Sequence, residues 1–111
     1  MKYLLLIYED EKRFANGFNP EEMAQYGEFG KRNAGVIKGG HALKPTATAK
    51  SVRVRDGKVS TTDGPFAETK EHLGGFYLVE ADSDEHAAKL AAEIPGARYG
   101  VIEVRQIETF S

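Results

Sequence analysis

The sequence predicts an α+β domain in which two β-α-β units share one antiparallel sheet and an extra β-hairpin separates them. Three observations carry this prediction. The runs KYLLLIY and GFYLVEA are apolar on both of their alternating sets of positions, the mark of strands in the middle of a sheet. Each is followed by a segment with helix start and stop signals. Between the units, alternating residues flank Asp56-Gly57, the strongest short-range hairpin signal in the chain.

Taken in order, Tyr3, Leu5 and Ile7 point to one face of the first strand, and Leu4, Leu6 and Tyr8 to the other. Asn19-Pro20-Glu21-Glu22 then starts a helix, with Asn19 as N-cap, Pro20 in the first helical position and Glu22 at the capping-box position. The helix runs to about Ala34, with Met23, Tyr26, Gly30 and Ala34 expected towards the core. Gly27 and Gly30 each cost roughly 1 kcal/mol against alanine there, and close approach to the sheet is the expected reason. Val36 to Lys44 forms the next strand, where Gly39-Gly40 places a bulge or bend before His41. Ser51–Arg55 and Lys58–Thr62 make the hairpin. The loop TTDGPFAETKEHLGG leads to a strand from Gly75 to Ala81. Acidic residues at Asp82-Ser83-Asp84-Glu85 suit the positive end of a second helix dipole. Its thin apolar face (Ala87, Ala88, Leu90, Ala91, Ile94) stops at Pro95-Gly96, and a last strand runs from about Tyr99 to Ile107.

This element order is that of a ferredoxin-like sheet with an inserted hairpin. Helices in such a fold cover one face only. A second copy of the chain is the simplest cover for the other, so a homodimer is expected, with sites near the cavity between the sheets.

Composition narrows the function. The 111 residues make one domain spanning 1–111, and oligomerisation would help so small a core. The longest apolar run, Tyr3 to Tyr8, is too short to cross a bilayer and lacks a signal-peptide cleavage site. The absence of cysteine excludes disulfides and thiolate chemistry and fits a cytoplasmic protein. A net charge of −2 gives no general attraction for nucleic acid or anionic lipid. The three histidines lack metal-ligand spacing, the glycine pairs lack a phosphate-loop order, and no serine has a nucleophile-elbow context. No metal and no cofactor are therefore expected.

Several residues remain as site candidates. On the last strand, Glu103 and Arg105 are expected to project onto the uncovered face. There they form either a structural or inter-subunit ion pair, or a polar lining in which Glu103 accepts a proton or hydrogen bond and Arg105 holds a carboxylate. In the loop, Asp63 is expected to form an Asx-turn, Gly64 and Pro65 to fix the turn, and Phe66 to plug into the core. Glu68 and Lys70 are then either solvated or aimed at a ligand. His41 is the candidate for proton transfer, against the plainer reading of a packed histidine.

Thr62-Asp63-Gly64-Pro65-Phe66-Ala67-Glu68-Thr69-Lys70-Glu71, with Leu73-Gly74-Gly75-Phe76, Ile94-Pro95 and Glu103-Val104-Arg105, resembles the DGPF-domain branch of the YCII-related proteins along essentially the whole chain. The resemblance implies a dimeric α/β barrel and a bacterial protein often encoded beside sigma factors of the extracytoplasmic-function type. Other YCII-related proteins carry a His and Asp pair implicated in acid–base chemistry. The candidates here are His41 and Asp63, of which the motif secures only Asp63. Gln106 stands where a proline commonly follows Glu-Val-Arg, which bears on the end of the last strand. The leading expectation is a small dimeric module that binds a small organic molecule near its interface. The alternatives are an isomerase- or lyase-type enzyme using His41 with a carboxylate, and an interaction partner of such a sigma factor.

Overall fold

Strand β1 (Lys2–Glu9) is the axis of the sheet, pairing antiparallel with β5 (His72–Glu80) on one side and β6 (Val101–Gln106) on the other. Strand β2 (Ile37–Ala42) pairs with the far side of β5, giving the order β2-β5-β1-β6. The structure, a computed structural model, describes residues 1–110. Helices α1 (Pro20–Arg32) and α2 (Asp84–Glu93) complete a mixed α+β architecture, and no helix among the described residues is long and apolar enough to cross a membrane. The doubly apolar run KYLLLIY thus does form a central strand.

Helix α1 begins as its sequence dictates, with Asn19 Oδ1 accepting hydrogen bonds from the Glu21 and Glu22 amides at 2.8 and 3.4 Å. Its inward face differs from the expected one. Met23 is 54% exposed and Ala34 is exposed, while Glu22 and Phe29 are buried beside half-buried Tyr26. The helix is turned so that the larger Phe29 ring enters the core, tilted against Tyr77 at 5.1 Å. That turn carries Glu22 inward with it. Gly27 and Gly30 do not approach the sheet either, since a Cβ at either position would meet nothing within 4 Å. On α2, Ala87, Leu90 and Ala91 reach the core and Ala88 does not, while Ile94 is buried just past the end of the helix.

Beneath both helices lie Tyr3, Leu5, Ile7 and Val79 from the sheet. The Tyr3 hydroxyl donates to Asp84 Oδ1 at 2.6 Å, which fastens the sheet to the start of α2 and pushes the Tyr3 phenol up to about 12.

The hairpin stands apart as a second, two-stranded sheet, β3 (Lys50–Arg55) and β4 (Lys58–Asp63). Asp56 and Gly57 both have positive φ, 52° and 75°, the turn whose twist matches that of paired strands. This arm gives the chain a radius of gyration of 15.9 Å, against about 13 Å for a compact chain of its length. Several strand limits depart from expectation: β2 covers Ile37–Ala42 rather than Val36 to Lys44, and β3 starts at Lys50. β4 reaches Asp63, β5 starts at His72 rather than Gly75, and β6 covers Val101–Gln106 only, because Pro95–Arg98 forms a tight 3-10 turn before it. The bulge expected near Gly39-Gly40 is present, as a register shift between Ile37 and Gly39.

Two substitutions on α1 test this orientation. Phe29→Ala should cost about 3–5 kcal/mol in chemical denaturation, because it empties a fully buried site. Gly27→Ala should stabilise by about 1 kcal/mol, since the methyl group has open space. A Gly27→Ala protein less stable than wild type would overturn the helix placement.

Candidate functional site

The face of the sheet away from the helices carries the sequence-predicted polar residues, and the strand register fixes where they stand. One row crosses all four strands in the order Glu103, Leu6, Phe76, His41. The next row is Arg105, Leu4, Leu78, Gly39. Glu103 and Arg105 therefore line one edge and His41 the other, with a floor of Leu4, Leu6, Phe76 and Leu78 between. Three strand spacings of about 4.8 Å separate His41 from Glu103, roughly 14 Å, so the two cannot share a proton within one chain. The exposed imidazole instead meets the Phe76 ring edge-on, with centroids 6.0 Å apart.

Tyr8 completes the β6 edge. Burial, then the charge of Glu103 and a hydrogen bond to it, push the Tyr8 phenol up, while the nearby Arg105 opposes the shift. Sequence reasoning placed Tyr8 on this face without giving it a role. Its spacing two residues beyond Leu6, on the face expected to hold Glu103, is the available signal.

The loop motif sits elsewhere. Asp63 is the last residue of β4, 82% of its side chain is exposed, and its carboxylate bonds Lys50 Nζ at 2.5 Å directly across the hairpin. This cross-strand pair replaces the expected Asx-turn. Among the described residues Asp63 makes no ion pair with His41. Gly64 supports the turn with φ 94°, and its amide donates to the Ala49 carbonyl at 2.7 Å while its carbonyl accepts from the Ser51 hydroxyl at 2.9 Å. Pro65 is half-buried. Phe66, expected in the core, is 82% exposed, because the loop leaves the arm's root without turning under the sheet. Glu68 and Lys70 are exposed, and Lys70 borders a shallow depression of about 220 Å³ with Asp10, Glu11, Lys12, Thr69 and His72. There Glu11 grips Thr46, accepting from its amide at 2.8 Å and its hydroxyl at 2.9 Å, and so ties the end of β1 to the root of the arm. Among the described residues no group of three or more His, Asp or Glu is placed to hold a metal ion.

The covered face holds a polar cluster that the sequence did not announce. Arg13 bonds Glu9 at 2.9 Å and Glu22 at 3.1 Å, with the Tyr99 ring 3.9 Å from its guanidinium carbon. The side chains of Glu9 and Glu22 are only 7% and 10% exposed. Burial raises the Glu9 carboxyl above its ordinary range even though Arg13 pulls it down, with Glu22 and Glu71 adding to the rise. Glu22, Tyr26 and Phe29 at helical spacing were the signal for a buried carboxylate, but its partner lies in a 3-10 turn with no sequence pattern of its own. Close packing holds the cluster: a Cβ on Gly96 would collide with Glu9 Oε1 and lie 2.8 Å from the Tyr26 hydroxyl.

The YCII-related domain model matches residues 1–111. A protein of Rhizobium meliloti (strain 1021), itself uncharacterized, is 31% identical over 117 residues, covering 99% of this chain and 94% of that protein. The chain belongs to the YCII-related domain family.

Arg13→Ala should leave two buried carboxylates without a cation and cost about 3 kcal/mol, the lower end for a broken buried pair because Arg13 itself is 27% exposed. The raised Glu9 carboxyl gives a second expectation. The folded chain keeps that proton to higher pH than the unfolded chain, whose carboxyl titrates near 4.5. Its contribution therefore favours folding below about pH 4.5 and fades as pH rises through the folded value. Denaturation midpoints measured against pH should lose this component in Glu9→Gln.

Proposed function

We propose that this YCII-related chain is a ferredoxin-like binding module that pairs through its uncovered sheet faces, as a dimeric α/β barrel, and holds a small carboxylate-bearing organic molecule between them. The observation that supports this reading is the uncovered face itself. An apolar floor on the two central strands is flanked by Arg105, Glu103 and Tyr8 on one side and His41 on the other. Apolar area with a few convergent polar groups is the usual make-up of a small-molecule site. Arg105 supplies the fork that suits a carboxylate, and the floor takes the hydrocarbon part. Acid–base catalysis would need a carboxylate within hydrogen-bond reach of His41, and the imidazole packs against Phe76 instead.

Sedimentation equilibrium at micromolar concentration should give twice the 12.2 kDa chain mass, and Leu6→Lys, in the middle of the floor, should give the chain mass alone. A folded wild-type monomer across that range would refute the pairing. In NMR titrations with a panel of small mono- and dicarboxylates, shifts should concentrate on Arg105, His41 and the floor, and Arg105→Ala should abolish them. A panel that moves nothing on this face refutes the ligand reading.

A further inference from the structure

We propose that the β3–β4 arm is a clasp whose valine side packs on a second copy of the chain. This inference rests on the pairing proposed above and names a surface outside the sheet face. The hairpin register puts Val52, Val54 and Val59 on one side, where they are 62%, 56% and 69% exposed. The opposite side carries Arg53, Arg55 and Lys58 with Ser51, Ser60 and Thr62. Apolar-in, polar-out alternation is the pattern of a ribbon with one buried face, yet among the described residues nothing buries it. The two strands pack chiefly on each other, and an isolated two-stranded ribbon is at best marginally stable in water. Phe66, 82% exposed at the arm's root, borders with Val52 a depression of about 370 Å³.

Area and charge point to the occupant. The chain exposes 8066 Å², roughly 2,000 Å² more than the roughly 6,100 Å² of a compact monomer of its mass. An excess of that order on each of two copies matches the interfaces of obligate homodimers. Residues 50–63 carry four basic and two acidic side chains, net +2, while the rest of the chain, with eleven basic and fifteen acidic, is net −4. The opposite signs favour encounter between the arm and the body of a second copy, with Arg53, Arg55 and Lys58 on the side away from the valines. An overall net charge of −2 disfavours a nucleic-acid occupant. The Glu11–Thr46 grip and the Ser51–Gly64 bond hold the arm at its root, so it meets the second copy in a fixed direction.

The test compares dimer dissociation by sedimentation for wild type, for Val54→Lys with Val59→Lys, and for Ser60→Lys with Thr62→Lys, which adds the same charge to the opposite side. The valine-side pair should weaken the dimer at least about tenfold, as expected for charges forced into the apolar centre of an interface, and the control should change it little. Equal effects, or none, with a dimeric wild type would overturn the clasp and leave the sheet pairing standing; a monomeric wild type would end both. The absence of cysteine allows a second measurement that leaves the ribbon otherwise intact. An environment-sensitive fluorophore on Val59→Cys should shift to the blue at dimer concentrations and return on dilution, while one on Ser60→Cys should not. A Val59→Cys label that stays water-like in the dimer contradicts the clasp.

Discussion

A sheet with one layer of helices has one dry face, and β1 is apolar on both. That mismatch governs the rest of the molecule. Tyr3, Leu5 and Ile7 disappear beneath α1 and α2, while Leu4, Leu6 and Tyr8 are shielded only by their neighbours on β5 and β6. Cross-strand packing can hide part of such a surface but not desolvate it. Polar side chains accordingly sit on the edge strands, where they do not interrupt the apolar centre. The same constraint therefore gathers the polar groups at the two margins of one apolar floor.

The two faces are mechanically linked at the end of β1. Tyr8 and Glu9 are consecutive and point to opposite sides, so whatever fixes Glu9 also fixes the backbone that presents Tyr8. Glu9 is held by Arg13, Arg13 by Glu22 and the Tyr99 ring, and Gly96 closes the packing from the 3-10 turn before β6. A network with two buried carboxylates and one guanidinium keeps a residual negative charge, which costs desolvation energy. What it contributes is position: the end of β1, the Arg13 turn, the start of α1 and the Gly96–Tyr99 segment converge on one corner beside the Tyr8–Glu103 edge. Glu11, two residues on from Glu9, extends the same corner to the arm through Thr46.

The strands were legible because a period of two leaves little freedom. Once KYLLLIY is central, its two faces follow, and the Asp56-Gly57 turn sets the hairpin register residue by residue. The helix face of α1 was less legible, since a turn of the helix by one residue exchanges Met23 for Glu22, and burying a carboxylate is sensible only once Arg13 is known to reach it. The loop was misjudged for a related reason. An aromatic residue beside a tight turn reads as an anchor for its own core, and Phe66 points into solvent instead. Asp63 read as a turn residue because its cross-strand partner, Lys50, lies 13 residues away, and only the register brings the two together. Of the site, the identity of Glu103, Arg105 and His41 was visible in the sequence, but their separation across the sheet was not.

The arm also carries a geometric rule for its own variation. Each of its strands has six residues, a reach of about 20 Å from the root at roughly 3.3 Å per residue. Adding two residues on each side of Asp56-Gly57 would lengthen that reach by roughly 7 Å and keep every valine on its side. A change of one residue per strand at the root would instead reverse the sides beyond it and present the arginines where the valines now stand. Divergence in this segment should therefore proceed in even steps, which makes its length adjustable without any change in the four-stranded sheet.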